Sequence, residues 1–213
     1  FNLFPAIGNK IYNNYAEWGL DIQEKNKKEI QQVLKIPLHG RVQWGIYKNL
    51  LNGITTVVNH GAHLAAGNKL ITVFQQCHSL HSIQFEKHWR YKINRFLKNN
   101  YPFVIHIGEG KDDTSRKEID QLIRWNFFKR NIIGVHGVAM AERQAGSFKA
   151  LVWCPASNYF LLNKTAAVDQ LKNQTKIVFG TDSTLTANWN LWDHLRLARN
   201  TKNKTKAKRK AER

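Results

Sequence analysis

Seven short apolar runs, rich in β-branched residues, punctuate the chain: GITTVVNH (53–60), KLITVF (69–74), LHSIQF (80–85), PFVIHIGEG (102–110), NIIGVHGV (131–138), KALVWCP (149–155) and KIVFGTDS (176–183). They are nearly continuous in apolar character, the pattern of parallel strands covered on both faces. Between several of them the period changes to that of a helix. RKEIDQLIRWNFFKR (116–130) sets Ile119, Leu122, Ile123 and Phe127 on one face, with Asp113, Thr114 and Ser115 as cap candidates before it and basic residues closing it. AAVDQLKN (166–173) and NLWDHLRLARN (190–200) behave likewise, and RVQWGIYKNLLNG (41–53) ends on Gly53 as a C-cap. Strands alternating with amphipathic helices predict an α/β fold, a parallel sheet covered by helices.

Composition supports a folded chain. With 213 residues, 42% hydrophobic content, eleven Phe and seven Trp against four Pro, there is enough apolar surface to bury a core. No run of about 18 apolar residues offers a membrane span, and the first residues, FNLFPAIGNK, lack the basic-then-apolar layout of a signal peptide. Two cysteines, Cys77 and Cys154, are too few for a disulfide framework, and Cys154 in ALVWCP reads as a reduced core residue. A soluble, cytoplasmic protein is the expectation.

Charge adds a second function class. The formal net charge is +18, of which residues 200–213 (NTKNKTKAKRKAER, seven Lys or Arg and one Glu) carry +6 and residues 1–199 carry +12. The tail has no apolar face and is expected to be disordered, as a segment separate from a domain spanning 1–199. So basic a chain is suited to nucleic acid. Yet no helix-turn-helix, zinc-finger or RNA-recognition signature occurs, and lysines such as those of IQEKNKKEIQQVLK (22–35) lie along solvated helix faces. A non-catalytic basic protein that binds RNA or another polyanion is therefore the alternative, not the favoured, reading.

The polar residues at the strand ends point to chemistry. His60, His106, His136 and Asp182 each follow an apolar run at its C-terminal edge, and in a (β/α) barrel those edges meet at one mouth. A mixture of imidazole and carboxylate suits zinc, or iron in a similar site. Glu109 stands three residues beyond His106, with Gly108 and Gly110 leaving room beside the backbone. His63 is not assigned as a ligand, and His78 and His81 of HSLH read as loop and strand entry rather than a metal pair.

GITTVVNHG, VIHIGEGKDDTSRKEID, GVHGVAMAERQAGSFKALVWCPASNYFLLNKTAAVDQL and IVFGTDSTLTANWNLWDHLR resemble, in order over residues 41–199, successive strand-loop-helix blocks of the amidohydrolase superfamily. The likeness is to its cytosine deaminase, adenosine deaminase and triazine chlorohydrolase-like branch, through the combination HxxE, VHG, WCPxSN and GTDS. The resemblance implies a TIM-like barrel carrying one divalent metal, zinc or iron, and hydrolysis of carbon–nitrogen bonds other than peptide bonds. It implies His106 and Asp182 as metal ligands, Glu109 as proton shuttle, His136 as the group touching the attacking water or the substrate, and Asp182 as the residue orienting that water. His60, Ser157 and Asn158 would line the pocket. The implied substrate is a small molecule such as an aminated heterocycle, while Trp125, Trp153, Trp189 and Trp192 are read as core.

The family's first strand, ending in His-x-His, has no counterpart in this sequence, nor has its small β-sandwich. The barrel is thus expected to be incomplete, its open edges favouring a homo-oligomer, and the missing ligand pair puts activity of this chain in question.

Overall fold

The computed structural model describes residues 3–64 and 70–211, with side chains as far as Thr201. Lys69 at the start of the second run and the last two residues of the tail lie outside the described residues. The elements follow the order α1 (Tyr15–Lys25), α2 (Lys27–Leu34), α3 (Leu38–Leu51), β1 (Thr56–Val58), β2 (Thr72–Phe74), β3 (His78–Ser82), α4 (Trp89–Asn94), β4 (Phe103–Ile107), α5 (Asp113–Trp125), β5 (Ile132–His136), α6 (Glu142–Ala145), β6 (Ala150–Trp153), α7 (Pro155–Leu162), α8 (Val168–Leu171), β7 (Lys176–Phe179) and α9 (Leu191–Ala211). Each of the seven apolar runs contains or overlaps one strand. α9 carries its helical backbone into the basic tail, where composition predicts disorder.

All strand pairs are parallel, but the expected barrel is not formed. Among the described residues the strands make one five-stranded sheet, β3-β4-β5-β6-β7, and a separate two-stranded sheet, β1-β2. The reason lies at the edges. β1 and β2 are three residues long with both ends exposed, too short to propagate a ladder, and a turn closed by Cys77 N–H to the Gln75 carbonyl separates β2 from β3. β7 pairs with β6 alone and leaves Val178 exposed.

Within the large sheet the register is regular. Phe103 faces Ile132 and Ile107 faces His136 across β4 and β5, and Trp153 faces Phe179 across β6 and β7. Alternate residues serve opposite faces, as strand geometry requires. Phe103, Ile105, Ile107, Ile132 and Leu151 pack with Ile119 and Leu122 of α5 in the main core, whereas Val104, Val135 and Cys154 form a smaller cluster. The α5 cap is Asp112, whose side chain accepts the Ser115 N–H at 2.9 Å, one residue before the cap candidates. Phe127 lies beyond the end of α5 and is exposed, not on its buried face. β3 begins two residues earlier than its apolar run, because His78 and Ser79 pair with Phe103 and Val104.

The N-terminal segment crosses the C-terminal edge of the sheet. Ile7 N–H donates to the Leu185 carbonyl, Tyr12 N–H to that of Leu161 and Tyr15 N–H to that of Glu109, each at 2.8–2.9 Å. Phe4, Ile7, Tyr12 and Trp18 pack there with Leu161 and Leu185. This positions α1 over the strand ends that carry the candidate chemistry.

Candidate metal centre

At its C-terminal end each of three strands leaves the sheet through a left-handed turn. Gly108 after β4 has φ +61°, His136 and Gly137 at the end of β5 have +75° and +60°, and Asp182 after β7 has +62°. Glycine takes this region freely, and a Cβ on Gly108 would approach Ile119 to 2.7 Å. For His136 the conformation costs about 1–3 kcal/mol, strain of the kind found at functional sites. The effect is to swing His106, His136 and Asp182 together: one ligand-capable atom from each lies within 4.8 Å of the others.

Hydrogen bonds decide which of these atoms offer lone pairs. His106 Nδ1 is 2.9 Å from the His81 carbonyl, an acceptor, so Nδ1 bears the proton and Nε2 is free to ligate. Burial, reinforced by His136, holds the His106 pKa down at about 4, so the ring is neutral at pH 7. Asp182 Oδ2 accepts from the hydroxyls of Ser157 at 2.6 Å and Thr186 at 2.9 Å. Burial alone raises the Asp182 carboxyl, but the His136 ring, the Ser157 hydroxyl, His106 and the Ser183 N–H outweigh it and keep it below its ordinary value. Neutral imidazole and ionised carboxylate fit a divalent ion as two of its ligands.

Glu109 differs from Asp182. It is buried, with Oε2 3.4 Å from His136 Nε2, and burial, then the Asp182 and Glu118 charges, push its pKa well above the ordinary value. Its protonated form is thereby favoured more than in an ordinary carboxyl. His136 Nε2 also lies 3.9 Å from Asp182 Oδ2, and burial keeps the His136 ring neutral against the pull of Asp182. The cleft between Tyr15, His106, Glu109 and Glu118 is narrow, with room for about one water.

The predicted residues separate into two sets. His106, Glu109, His136 and Asp182 converge. His60 stands beside them, its ring 5.4 Å from that of His106. Ser157 and Asn158 are fully buried behind the centre, where they hold Asp182 and His136 rather than face a cavity. His63 is near Gln75, and His78 bonds Asn99, away from the centre. Trp153 is buried, whereas Trp125, Trp189 and Trp192 are partly or largely exposed, contrary to their reading as core.

Four neighbours of the centre escaped sequence reasoning. His81 lies with its ring centre 5.4 Å from that of His106, tilted against it, and bonds the Tyr15 hydroxyl. Tyr15 itself has its pKa raised by burial and the Glu109 charge. Glu118 accepts the Gly108 N–H at 2.7 Å. Lys48 of α3 is buried, its pKa lowered by burial and only partly restored by Asp182. A polar residue on an amphipathic helix carries no local sign that it points inward, so only the HSLH spacing offered a signal. Comparison of the sequence with protein families and with curated proteins returned no match. No helix among the described residues is long and apolar enough to cross a membrane.

Proposed function

We propose that the chain is a metal-dependent hydrolase of the amidohydrolase type, acting on carbon–nitrogen bonds of a small molecule other than peptide bonds, with an aminated heterocycle as the favoured substrate class. The observation that carries this reading is the convergence, from three strand ends, of a neutral His106 with a free Nε2, of Asp182 held below its ordinary pKa and of His136, beside Glu109, a buried carboxyl whose pKa is pushed well above the ordinary value. His106 and Asp182 would hold the ion. A divalent zinc or iron there supplies Lewis acidity, which lowers the pKa of water from about 15.7 towards about 7. Asp182 accepts a hydrogen bond from the attacking water and orients it. Glu109 delivers its proton to the departing nitrogen and recovers one from the water, so that the carbon–nitrogen bond breaks as the carbon–oxygen bond forms. His136 donates Nε2–H to the oxygen on which charge develops.

Zinc titration of the metal-free chain by calorimetry tests the centre. About one zinc per chain is expected, with affinity reduced about tenfold or more in His106→Ala. Equal binding by the variant would place the metal elsewhere and remove the basis of the reading.

A separate observation favours the polyanion-binding alternative. Residues 86–100 and 124–130 carry eight Lys or Arg and one Glu, a net +7 that is more than half of the +12 of residues 1–199. The two stretches are joined by Asn94 Nδ2–H to the Trp125 carbonyl at 2.7 Å and an Arg130 guanidinium N–H to the Arg95 carbonyl at 3.0 Å. They precede β4 and β5, at the opposite edge of the sheet from the metal centre. Phe96 is 91% exposed and Phe127 64%, and Arg90 stacks 4.8 Å from Trp89 and 5.0 Å from Trp125. Exposed rings interleaved with cations suit single-stranded nucleic acid, stacking bases while pairing phosphates. A labelled single-stranded RNA should bind with affinity that falls steeply with salt, and Phe96→Ala with Phe127→Ala should weaken it about tenfold or more while His106→Ala leaves it unchanged. Undiminished binding by the double variant would overturn this reading.

A further inference from the structure

A chain of buried and half-buried polar groups runs from the main core to the back of His136. The Trp153 indole Nε1 lies 2.6 Å from Thr165 Oγ1, Thr165 Oγ1 lies 3.3 Å from Asn158 Oδ1, and Asn158 Nδ2 lies 3.0 Å from His136 Nδ1. The groups come from β6, from the turn before α8, from α7 and from the end of β5, so no local sequence rule assembles them. Asn158 and His136 are 0% and 1% exposed, which leaves water little access to their ends of the chain.

Its direction follows from what each group can do. An indole N–H only donates, so Thr165 Oγ1 accepts from Trp153. The single Thr165 hydroxyl proton then goes to Asn158, whose atom facing it is the amide oxygen. The Asn158 NH2 is thereby turned towards His136, and a ring nitrogen receiving that donor must be bare. Reversing the amide would leave the Thr165 hydroxyl proton without a protein acceptor among the described hydrogen bonds. On the far side of the ring, Nε2 lies 3.4 Å from Oε2 of the Glu109 carboxyl and 3.9 Å from Oδ2 of Asp182, and an N–H is at home beside the ionised Asp182.

We infer that Trp153, Thr165 and Asn158 are positioning residues that lock His136 in its Nε2–H tautomer, making it a hydrogen-bond donor into the centre and excluding it as a metal ligand. His106 and His136, stacked 5.5 Å apart, are thus held in opposite tautomers: His106 by the His81 carbonyl with Nε2 bare, His136 by Asn158 with Nε2 protonated. The catalytic meaning of this donor rests on the hydrolase reading. The tautomer does not, because it is set by groups outside the metal site.

The test reads the ring nitrogens directly. Long-range proton–nitrogen NMR of the metal-free, nitrogen-15-labelled chain, with His136→Gln identifying the resonances, should show Nδ1 at the shift of a bare nitrogen and Nε2 at that of a protonated one. Thr165→Val, which removes acceptor and donor at once, should weaken the tautomer preference about fivefold, the bias of one net hydrogen bond. Thr165→Ser, which keeps the hydroxyl, should restore it. A native His136 protonated on Nδ1 overturns the proposal without reference to any variant, as does an unchanged preference in a folded Thr165→Val chain. Should zinc fail to bind while the tautomer is as stated, the hydrolase reading falls and the relay stands.

Discussion

The Asp182→Asn variant is expected to bind zinc about 100-fold more weakly than the native chain while keeping its fold. Two features make this substitution more informative than Asp182→Ala. Asp182 has φ +62°, a conformation that Asn tolerates nearly as well as Asp but that penalises Ala. The Asn amide oxygen can also take the place of Oδ2, keeping the hydrogen bonds from Ser157 and Thr186. What the variant removes is the charge, and a neutral amide is a poor ligand for zinc beside a single imidazole. Calorimetric zinc titration, with urea unfolding to confirm the fold, measures the effect. Native-like zinc affinity in Asp182→Asn would mean that the carboxylate is not a ligand.

Glu118→Gln is expected to stabilise the protein at pH 8 by about 3 kcal/mol and to leave it unchanged near pH 4. Glu118 is buried under the turn after β4, and burial raises its pKa from 4.5 to about 7 against the opposing bonds from the Gly108 N–H and Gln84. In the unfolded chain the carboxyl loses its proton near pH 4.5; in the folded chain it keeps it until about pH 7. Between these values the unfolded state binds fewer protons, so stability falls as pH rises and levels off above about pH 7. A shift of about 2.5 units at about 1.4 kcal/mol each gives the magnitude. Gln keeps the oxygen that accepts the Gly108 N–H and cannot ionise, so the native-minus-variant difference grows from pH 4 to pH 7. Urea unfolding of both chains across that range measures it. A constant difference would mean that Glu118 ionises normally in the folded state.

The same physics separates what was readable in the sequence from what was not. Strand positions, their parallel pairing, the covered character of β4, β5 and β6 and the placing of His106, His136 and Asp182 at strand ends follow from apolar runs and their boundaries, which are local properties of the chain, whereas β1, β2 and β7 are partly exposed. Closure of the sheet is not local. β1 and β2 have the composition of strands, yet whether they join β3 depends on edge partners and a turn at 75–77 that apolar patterning does not encode. The same holds for single positions. Phe127 continues the helical period of α5 by sequence, but the helix ends at Trp125 and the ring turns outward to the basic surface.

The sequence by itself determined which residue types stand where strands end, and so that imidazole and carboxylate would be available to a metal. Only the tertiary structure decided what each can do. His106 presents a lone pair because the His81 carbonyl is behind it, and His136 presents a proton because Asn158 is. The Asp182 carboxyl is held below its ordinary pKa and that of Glu109 well above it, because the His136 ring and the Ser157 hydroxyl act on the first, whereas burial and neighbouring negative charges act on the second. Tautomer and ionisation are set by groups within hydrogen-bond reach, and those groups lie on elements brought together only by folding.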